Sequence, residues 1–261
     1  MPEGFTFNPF TNRFPSSGYV VASAQTQDCF GKTGLFRVIK FCLTHRNYFV
    51  GGWKNEDGTF VNRVKVSKNT DSKGSAATMN SALRDARGRW IAFLNVGDMW
   101  EPTKLERQVD FMKRNDYVFT YTKYKYIDRD SKDRGDMMGG LKVVTHKDLS
   151  NCCWMGYLTV MYDAERLGRF QVRNIEKHSD YALWMMVIEK ADCYLFEECL
   201  ASHRVNHRLL SPLPMFDKIK CRYEVFHTVE GLNPVLSMWL TVRNMIWGYV
   251  KKLMFVEKLN I

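Results

Sequence analysis

The chain has 261 residues, of which 45% are hydrophobic and 14% aromatic, enough to build one large α/β domain and to exclude a disordered chain. Lysine and arginine number 38 against 28 acidic residues, and the resulting net charge of +10 favours an anionic partner such as a nucleotide diphosphate, an acidic membrane surface or nucleic acid. We find neither a signal peptide nor an apolar run of roughly 18 residues that would predict a membrane span, so we expect a cytoplasmic protein or one held peripherally at a membrane surface.

Strands and helices alternate along the first half of the chain. The predicted elements are strands at 19–24, 48–50, 63–66 and 90–94 and helices at 33–45 and 75–87. Gly88 follows the second helix in the position where glycine commonly ends one. The apolar run at 90–94 is nearly continuous, which predicts a central strand covered on both faces.

The second half continues the alternation with longer connections. The predicted elements are a helix opened by Pro102, a strand at 117–127, an exposed loop at 128–136, a strand at 158–162 and a helix at 179–189. Alternating strands and helices are typical of a layered, mostly parallel sheet.

The carboxyl-terminal residues 234–258 predict a long helix that combines tryptophan, tyrosine and leucine with Arg243, Lys251 and Lys252. Such a helix can lie in a membrane interface, where aromatic and basic side chains are enriched. It can equally pack on the domain or on a second subunit, and the sequence leaves these alternatives open.

The middle of the chain resembles a known enzyme family. Residues 73–108 read KGSAATMNSALRDARGRWIAFLNVGDMWEPTKLERQ, and the type-two, nucleotide-sugar-dependent glycosyltransferases share the pattern KGxxAARNxGIxxAxGxYIxFLDxDDxWxPxKLExQ. Residues 175–184 resemble the (E/Q)DYxLW element of that family, and residues 204–211 resemble the RVxxxSLS element of bacterial members. The resemblance runs in consistent order from residue 19 to residue 215.

The resemblance implies the α/β GT-A fold of nucleotide-diphospho-sugar transferases, a layered fold with a mostly parallel central sheet and a carboxyl-terminal helical extension. In open sheets of this kind a ligand binds across the carboxyl ends of the strands. We therefore predict a leader at 1–18, the GT-A domain at 19–215 and an amphipathic helical extension at 216–261.

By the same resemblance, the catalytic base is Asp180, which would take the proton from the attacking acceptor hydroxyl. The cation motif DxDD of the family corresponds to residues 95–98, where Asp98 is retained and Asn95 replaces the first acid. Asn95 and Asp98 are thus the predicted donor-binding and metal-binding residues, and they would hold manganese or magnesium weakly. Considered without the family, Asp180 can be an acid at a helix amino terminus and Asp98 a helix cap.

Four further residues are predicted to bind the donor. Gln25 and Thr26 follow the first strand, Asn80 is retained from the AARN element, and Trp53 stands where the family has an acidic nucleoside loop. Trp53 could stack on a base, although an aromatic side chain near a turn more often packs internally.

Arg204 and His207, in the RVxxxSLS-like element, are predicted to contact the acceptor or the leaving phosphate. His203 and His207 are the closest histidine pair by spacing, and two surface histidines are the simpler interpretation.

These assignments predict transfer of a sugar from a nucleotide-sugar donor to a hydroxyl of a glycan or lipid-linked acceptor, with inversion, in polysaccharide biosynthesis. The nucleoside loop, the cation motif and the arginine of AARN all depart from the family pattern. The alternative is therefore a catalytically impaired protein that uses the fold for binding or assembly. A nucleic-acid-binding module is a third hypothesis, because lysines alternate with aromatics at 121–126, but that spacing is typical of a half-exposed strand and we expect no nucleic acid.

Overall fold

The computed structural model describes most of the chain from residue 74 onward and isolated strands before it. The described residues are 18–23, 47–50, 53–54, 60–61, 67–68, 74–86, 88–95, 98–172, 179–205 and 215–258. The predicted helix at 33–45 and the predicted strand at 63–66 lie outside these residues.

The described elements alternate between strands and helices. The strands are β1 Gly18–Ser23, β2 Asn47–Val50, β3 Trp53–Lys54, β4 Phe60–Val61, β5 Ser67–Lys68, β6 Trp90–Asn95, β7 Met99–Trp100, β8 Phe119–Ile127, β9 Asp133–Met138, β10 Val143–Val144, β11 Met161–Asp163, β12 Cys193–Arg204 and β13 Val256–Lys258. The helices are α1 Gly74–Asp85, α2 Lys104–Asn115, α3 His146–Asn151, α4 Ala164–Leu167, α5 Ser179–Ile188, α6 Met215–Glu224 and α7 Pro234–Phe255. A single 3-10 turn covers Tyr157–Thr159, and a π-helical turn covers Val225–Val229.

The central sheet has the order β5-β2-β1-β6-β11-β8-β12-β10, and β9 and β7 extend the far halves of β8 and β12. Among the described strand pairs, β1–β6 and β8–β12 are parallel and the others are antiparallel. The sheet is therefore mixed, whereas the sequence predicted a mostly parallel one. Alternation of strands and helices indicates the α/β class, but a strand as short as β11 carries no signal of its direction.

The strand β6 lies at the centre of the core, as predicted. Its side chains alternate between two hydrophobic clusters, because successive residues of a strand point to opposite faces. Ile91 and Phe93 pack in the larger cluster with α5, including Trp184. Trp90 and Ala92 pack in the smaller cluster, which contains residues of α2. Both faces of β6 are thus covered by helices.

Two predicted elements between residues 128 and 162 are wrong in part. The segment 128–136, predicted as an exposed loop, contains the first residues of β9, which pairs with β8 and β13. Its charges obscured the strand because an edge strand keeps charged side chains in solvent. The strand predicted at 158–162 is instead the turn Tyr157–Thr159 followed by β11.

The longest strand, β12, was not predicted. Its register with β8 shifts between Phe196 and Cys199 and again between Cys199 and Ala201, so the alternation of apolar and polar side chains is broken. Such irregularities erase the period-two pattern by which a strand is recognised.

The carboxyl-terminal helix is confirmed as α7. The Asn233 side chain caps it by accepting a hydrogen bond from the backbone N–H of Leu236, and Pro234 occupies its first turn. The helix ends at Phe255, and residues 256–258, predicted as helix, form β13 and pair with β9. None of the helices in the described parts of the chain is long and apolar enough to cross a membrane.

Candidate functional site

The candidate site lies where β6 and β12 end. A short turn follows β6, in which the backbone N–H of Asp98 donates to the carbonyl oxygen of Asn95 over 3.2 Å. The next residues form β7, in which Met99 pairs with Ser202 of β12. This pairing brings the last residues of β12 alongside Asp98, so the retained acid of the DxDD-like segment lies between two strand ends.

The carboxylate of Asp98 is held by two residues of β12. Its Oδ1 accepts a hydrogen bond from the backbone N–H of Arg204 at 3.0 Å and lies 2.9 Å from Nδ1 of His203. An ionised carboxylate can only accept, so Nδ1 of His203 carries the shared proton. The Asp98 side chain is 3% exposed, and its Oδ2 has no hydrogen-bond partner among the described residues. A buried carboxylate oxygen left without a partner is costly, so Oδ2 is an acceptor that the described residues leave unused.

His203 is partly exposed and held in a polar and aromatic setting. Burial alone lowers the pKa of this imidazole, but the hydrogen bond and the charge of Asp98 outweigh it and raise the pKa above its ordinary value. The ring centroids of Tyr124 and Tyr126 lie 6.2 and 5.9 Å from that of His203, in edge-on contacts. The tyrosine hydroxyls are 3.3 Å apart. These contacts fix the orientation of the imidazole.

Tyr124 also requires a glycine on its other side. A Cβ atom at Gly156 would lie 3.0 Å from Cε1 of Tyr124, a separation that a real side chain would not tolerate without displacement of the ring. Burial, aided by the neighbouring Tyr126, raises the pKa of Tyr124 well above its ordinary value, so its hydroxyl stays neutral near pH 7.

The guanidinium of Arg204 is directed at the connection between β8 and β9. Its Nη1 donates to the carbonyl oxygens of Asp128 and Arg129, both at 2.7 Å, and its Nη2 donates to the hydroxyl of Ser131 at 2.8 Å. In this arrangement the backbone of Arg204 supports Asp98 and its side chain supports the rim of the site.

The described residues around Asp98 do not form a built cation site. Hard divalent cations take about six oxygen ligands, often from several carboxylates. Here Oδ1 of Asp98 is already used by His203 and Arg204, and Asn95 supplies an amide in place of an acid. No group of three or more His, Cys, Asp or Glu side chains in the described ranges could hold a metal ion.

Asp180, the predicted base, lies in the first turn of α5 and is half-buried. Asp180 acts electrostatically on Cys153: burial raises the pKa of that thiol, and the charge of Asp180 raises it further. The residues 173–178 that lead into the helix lie outside the described part of the chain. The next residue, Tyr181, donates its hydroxyl to the carbonyl oxygen of Leu149, which anchors the helix start.

Asn80 occupies a position that the sequence did not indicate. Its Nδ2 donates to the carbonyl oxygen of Val172 at 2.7 Å, and its Oδ1 accepts from the backbone N–H of Val172 at 2.8 Å. The side-chain amide therefore pairs with the chain as a strand neighbour would, just before the segment that leads to Asp180. Nothing in the pattern of α1 predicts this contact, because Val172 is 92 positions away.

Four other predicted site residues are described only in part or not at all. Trp53 belongs to β3, where its backbone pairs with Val61, but the structure does not describe its side chain. Gln25, Thr26 and His207 lie outside the described residues.

A buried polar cluster behind the site was missed by sequence reasoning. Lys104, fully buried in α2, donates to the side-chain oxygen of Gln108 and lies 3.5 Å from the carbonyl oxygen of Thr159. Gln108 donates to that same carbonyl oxygen and to the hydroxyl of Thr120, both at 3.1 Å. Trp100 donates to the neighbouring carbonyl oxygen of Leu158 at 2.7 Å. The cluster fixes the Tyr157–Thr159 turn, and the KLExQ-like spacing of Lys104 and Gln108 was its signal in the sequence.

Sequence similarity identifies the family of the chain. A sequence model of the family described as Glycosyl transferase family 2 matches residues 56–173. The putative teichuronic acid biosynthesis glycosyltransferase TuaG of Bacillus subtilis (strain 168) is 30% identical over 182 residues, which cover 69% of this chain and 72% of that protein. The chain belongs to glycosyl transferase family 2. Its membership confirms the predicted GT-A fold and the predicted class, a nucleotide-sugar-dependent glycosyltransferase.

Two further proteins are similar over part of their length. The Escherichia coli UDP-Glc:alpha-D-GlcNAc-diphosphoundecaprenol beta-1,3-glucosyltransferase WfgD is 37% identical over 127 residues, 49% of each chain, so this chain spans about half of that relative. The crystal structure of S. aureus TarS 1-349 in complex with UDP-GlcNAc is similar with a TM-score of 0.48 at 14% identity, over 68% of this chain and 53% of that one.

Proposed function

We propose that this chain transfers a glycosyl group from a uridine diphosphate sugar to a hydroxyl of a glycan carried on a lipid diphosphate, with inversion at the anomeric carbon. The observation that carries the proposal is Asp98, which occupies the place of the last acid of the DxDD element and is buried with one oxygen unpartnered. The printed name of WfgD, a transferase of glucose from UDP-Glc to GlcNAc on diphosphoundecaprenol, supports this donor and acceptor chemistry.

In the proposed reaction Asp180 removes the proton from the acceptor hydroxyl. The acceptor oxygen forms a bond to the anomeric carbon as the bond from that carbon to the diphosphate oxygen breaks, and the nucleotide diphosphate leaves with the bonding electrons. Attack from the face opposite the leaving group inverts the configuration. The helix that carries Asp180 is anchored through Tyr181, which keeps the carboxylate in a fixed place.

The donor would lie at the strand ends around Asn95 and Asp98, with Gln25, Thr26 and Trp53 on the nucleoside side. Oδ2 of Asp98 can accept a hydrogen bond from a ribose or sugar hydroxyl. Asn80 would act indirectly, by holding Val172 and with it the segment that leads to Asp180.

Arg204 and His207 are proposed for the acceptor or phosphate end. The backbone N–H of Arg204 already orients Asp98, so an effect of Arg204 on activity would come partly through that carboxylate.

Manganese or magnesium is not part of the proposed mechanism. The only described carboxylate at the motif has a single unused oxygen, so an ion would depend on the diphosphate and on water for its other ligands. We propose that the chain binds the donor without strict dependence on a divalent cation.

The protein would work on the cytoplasmic side of a membrane, in peripheral contact with it through residues 234–258. The leader 1–18, the domain 19–215 and the extension 216–261 remain the proposed division of the chain.

Replacement of Asp180 tests the reaction. We expect Asp180→Asn to lower kcat by about 10²–10⁴-fold while binding of the UDP-sugar is unchanged, because loss of a general base affects the chemical step. Transfer from radiolabelled UDP-sugar to a water-soluble GlcNAc-diphosphate lipid analogue measures kcat, and calorimetry measures binding. The matched control is Asp110→Asn, an exposed acid on α2. Equal kcat for wild type and Asp180→Asn would remove Asp180 from the mechanism, and absence of transfer by the wild type would contradict the proposed function.

A further inference from the structure

The outward side of α7 carries a continuous row of large apolar side chains. The row, here called the outer stripe, consists of Val235, Trp239, Val242, Ile246, Tyr249 and Leu253, all of them exposed. Their spacing alternates between four and three residues. That spacing places all six on one side of a helix. The exposure reaches 81% at Val235 and 86% at Leu253, so the residues that the structure describes leave the stripe uncovered.

The opposite side of α7 faces the body of the protein and is largely polar. Ser237, Thr241 and Asn244 are buried there beside one apolar residue, Leu240. The Asn244 amide donates to the hydroxyl of Tyr181 at 2.9 Å and accepts from the guanidinium of Arg222 at 3.0 Å. A surface helix ordinarily buries its apolar face and exposes its polar one. The reversal in α7 indicates that the outer stripe meets an apolar partner.

The charges on the helix identify that partner. The helix contains Arg243, Lys251 and Lys252 and no acidic residue. Lys251 is used internally, since it donates to the carbonyl oxygens of Cys153 and Trp154 at 3.0 and 2.8 Å. Arg243 and Lys252 flank the stripe, and pairing with a second copy of α7 would bring the same cations together without acids to neutralise them. An anionic bilayer supplies both an apolar layer and the opposite charge.

We propose that the outer stripe lies in the interface of an anionic phospholipid bilayer, with the axis of α7 parallel to the membrane plane. Trp239 and Tyr249 suit the headgroup level, where amphipathic aromatic rings are enriched. This inference deepens the proposed function and rests on it for the lipid-linked acceptor. Because Asn244 on the inner side bonds to Tyr181, the residue next to Asp180, docking of α7 would set the candidate base at a fixed height above the lipid.

Vesicle binding tests the surface directly and needs neither donor nor acceptor. The full chain is sedimented with vesicles of phosphatidylcholine alone and with phosphatidylglycerol added. We expect the double variant Ile246→Gln, Leu253→Gln to lower the partition coefficient on mixed vesicles about 100-fold, since each lost apolar insertion costs roughly tenfold. We expect Lys252→Gln to lower it about fivefold on mixed vesicles and to change nothing on phosphatidylcholine.

The control is Val143→Gln, which replaces an exposed apolar residue on β10, outside α7. Thermal melting verifies that each variant is folded, and all the changed residues are exposed. Equal partition of the double variant and the wild type would overturn the proposal, as would failure of the wild type to bind mixed vesicles. Sedimentation velocity measures whether the chain forms a dimer. A dimer of the wild type that the double variant abolishes would show that the outer stripe binds a second copy, and this result would also overturn the proposal.

The two proposals can fail separately. Asp180→Asn should bind vesicles as the wild type does, and transfer to the water-soluble acceptor is measured without vesicles. Transfer without vesicle binding would leave the proposed reaction intact and remove the membrane surface. Vesicle binding that depends on the stripe, in a chain that transfers no sugar, would support the surface and contradict the reaction.

Discussion

Lys104 is a cation buried without a carboxylate partner. Burial lowers its pKa from 10.5 to about 7, and the described contacts around it are an amide oxygen, a carbonyl oxygen and the ring of Trp100 at 4.9 Å. These contacts satisfy the amine hydrogen bonds but do not balance a full charge. Lys104 therefore holds the turn Tyr157–Thr159 in place, but burying its charged amine lowers the free energy of unfolding by an amount that depends on pH.

The pH dependence of unfolding reports this cost. The folded pKa lies below the unfolded one, so between about pH 7 and 10.5 the unfolded chain binds more protons, and the free energy of unfolding rises with pH by up to about 1.4 kcal/mol per unit. We expect Lys104→Met to remove this rise. Urea unfolding at pH 6, 7, 8 and 9 measures it, and Lys113→Met, an exposed lysine of the same helix, should behave as the wild type. An unchanged slope in Lys104→Met would show that another group causes it.

At the scale of elements, Asn80 joins α1 to the segment before α5. It acts as a positioning residue if its bonds to Val172 hold that segment in place, and as a donor ligand if it leaves Val172 for the nucleotide-sugar. The two roles differ in the kinetic constant that they affect.

We expect Asn80→Ala to lower kcat about tenfold with little change in KM for the UDP-sugar. A displacement of the Asp180 carboxylate by about 1 Å slows the chemical step but does not change the affinity for the donor. Steady-state kinetics with the soluble acceptor separates the two constants. Arg114→Ala, an exposed residue of α2 that contacts only its own helix among the described residues, is the control. A rise in KM at constant kcat would instead assign Asn80 to the donor.

Sequence predicted the elements with regular patterns and missed those without. The strand β6 and the helices α1, α5 and α7 were predicted because each is one uninterrupted segment whose residues favour a single type of element. The strand β12 was missed because its register shifts break the alternation of apolar and polar side chains, and β9 because its charges resemble those of a loop. The partners of Asp98 could not be predicted, since the bond from His203 spans 105 positions and depends on how β7 and β12 pair.

At the scale of the whole molecule, ligand binding should stabilise the folded chain. We expect UDP to raise Tm by about 5–10 °C at 100 times its Kd, since such binding adds about 2.7 kcal/mol and each kcal/mol shifts a chain of this size by about 2–4 °C. Differential scanning fluorimetry with UDP, GDP, CDP and dTDP, each with manganese or with EDTA, measures the shift. An equal shift in EDTA is expected from the single free carboxylate oxygen of Asp98, and a shift seen only with manganese would contradict it.

The pairing of Asp98 with the end of β12 also determines when the site can form. During synthesis Asp98, which follows β6, leaves the ribosome well before His203, because the two residues are 105 positions apart in the chain. A nascent chain that stops short of β12 can build β6 and α2, yet it lacks the strand that pairs with β7. Long-range contacts of this kind form late in folding. The candidate site around Asp98 is therefore completed only after nearly four-fifths of the chain has been made, and products of translation that stop before β12 would lack it.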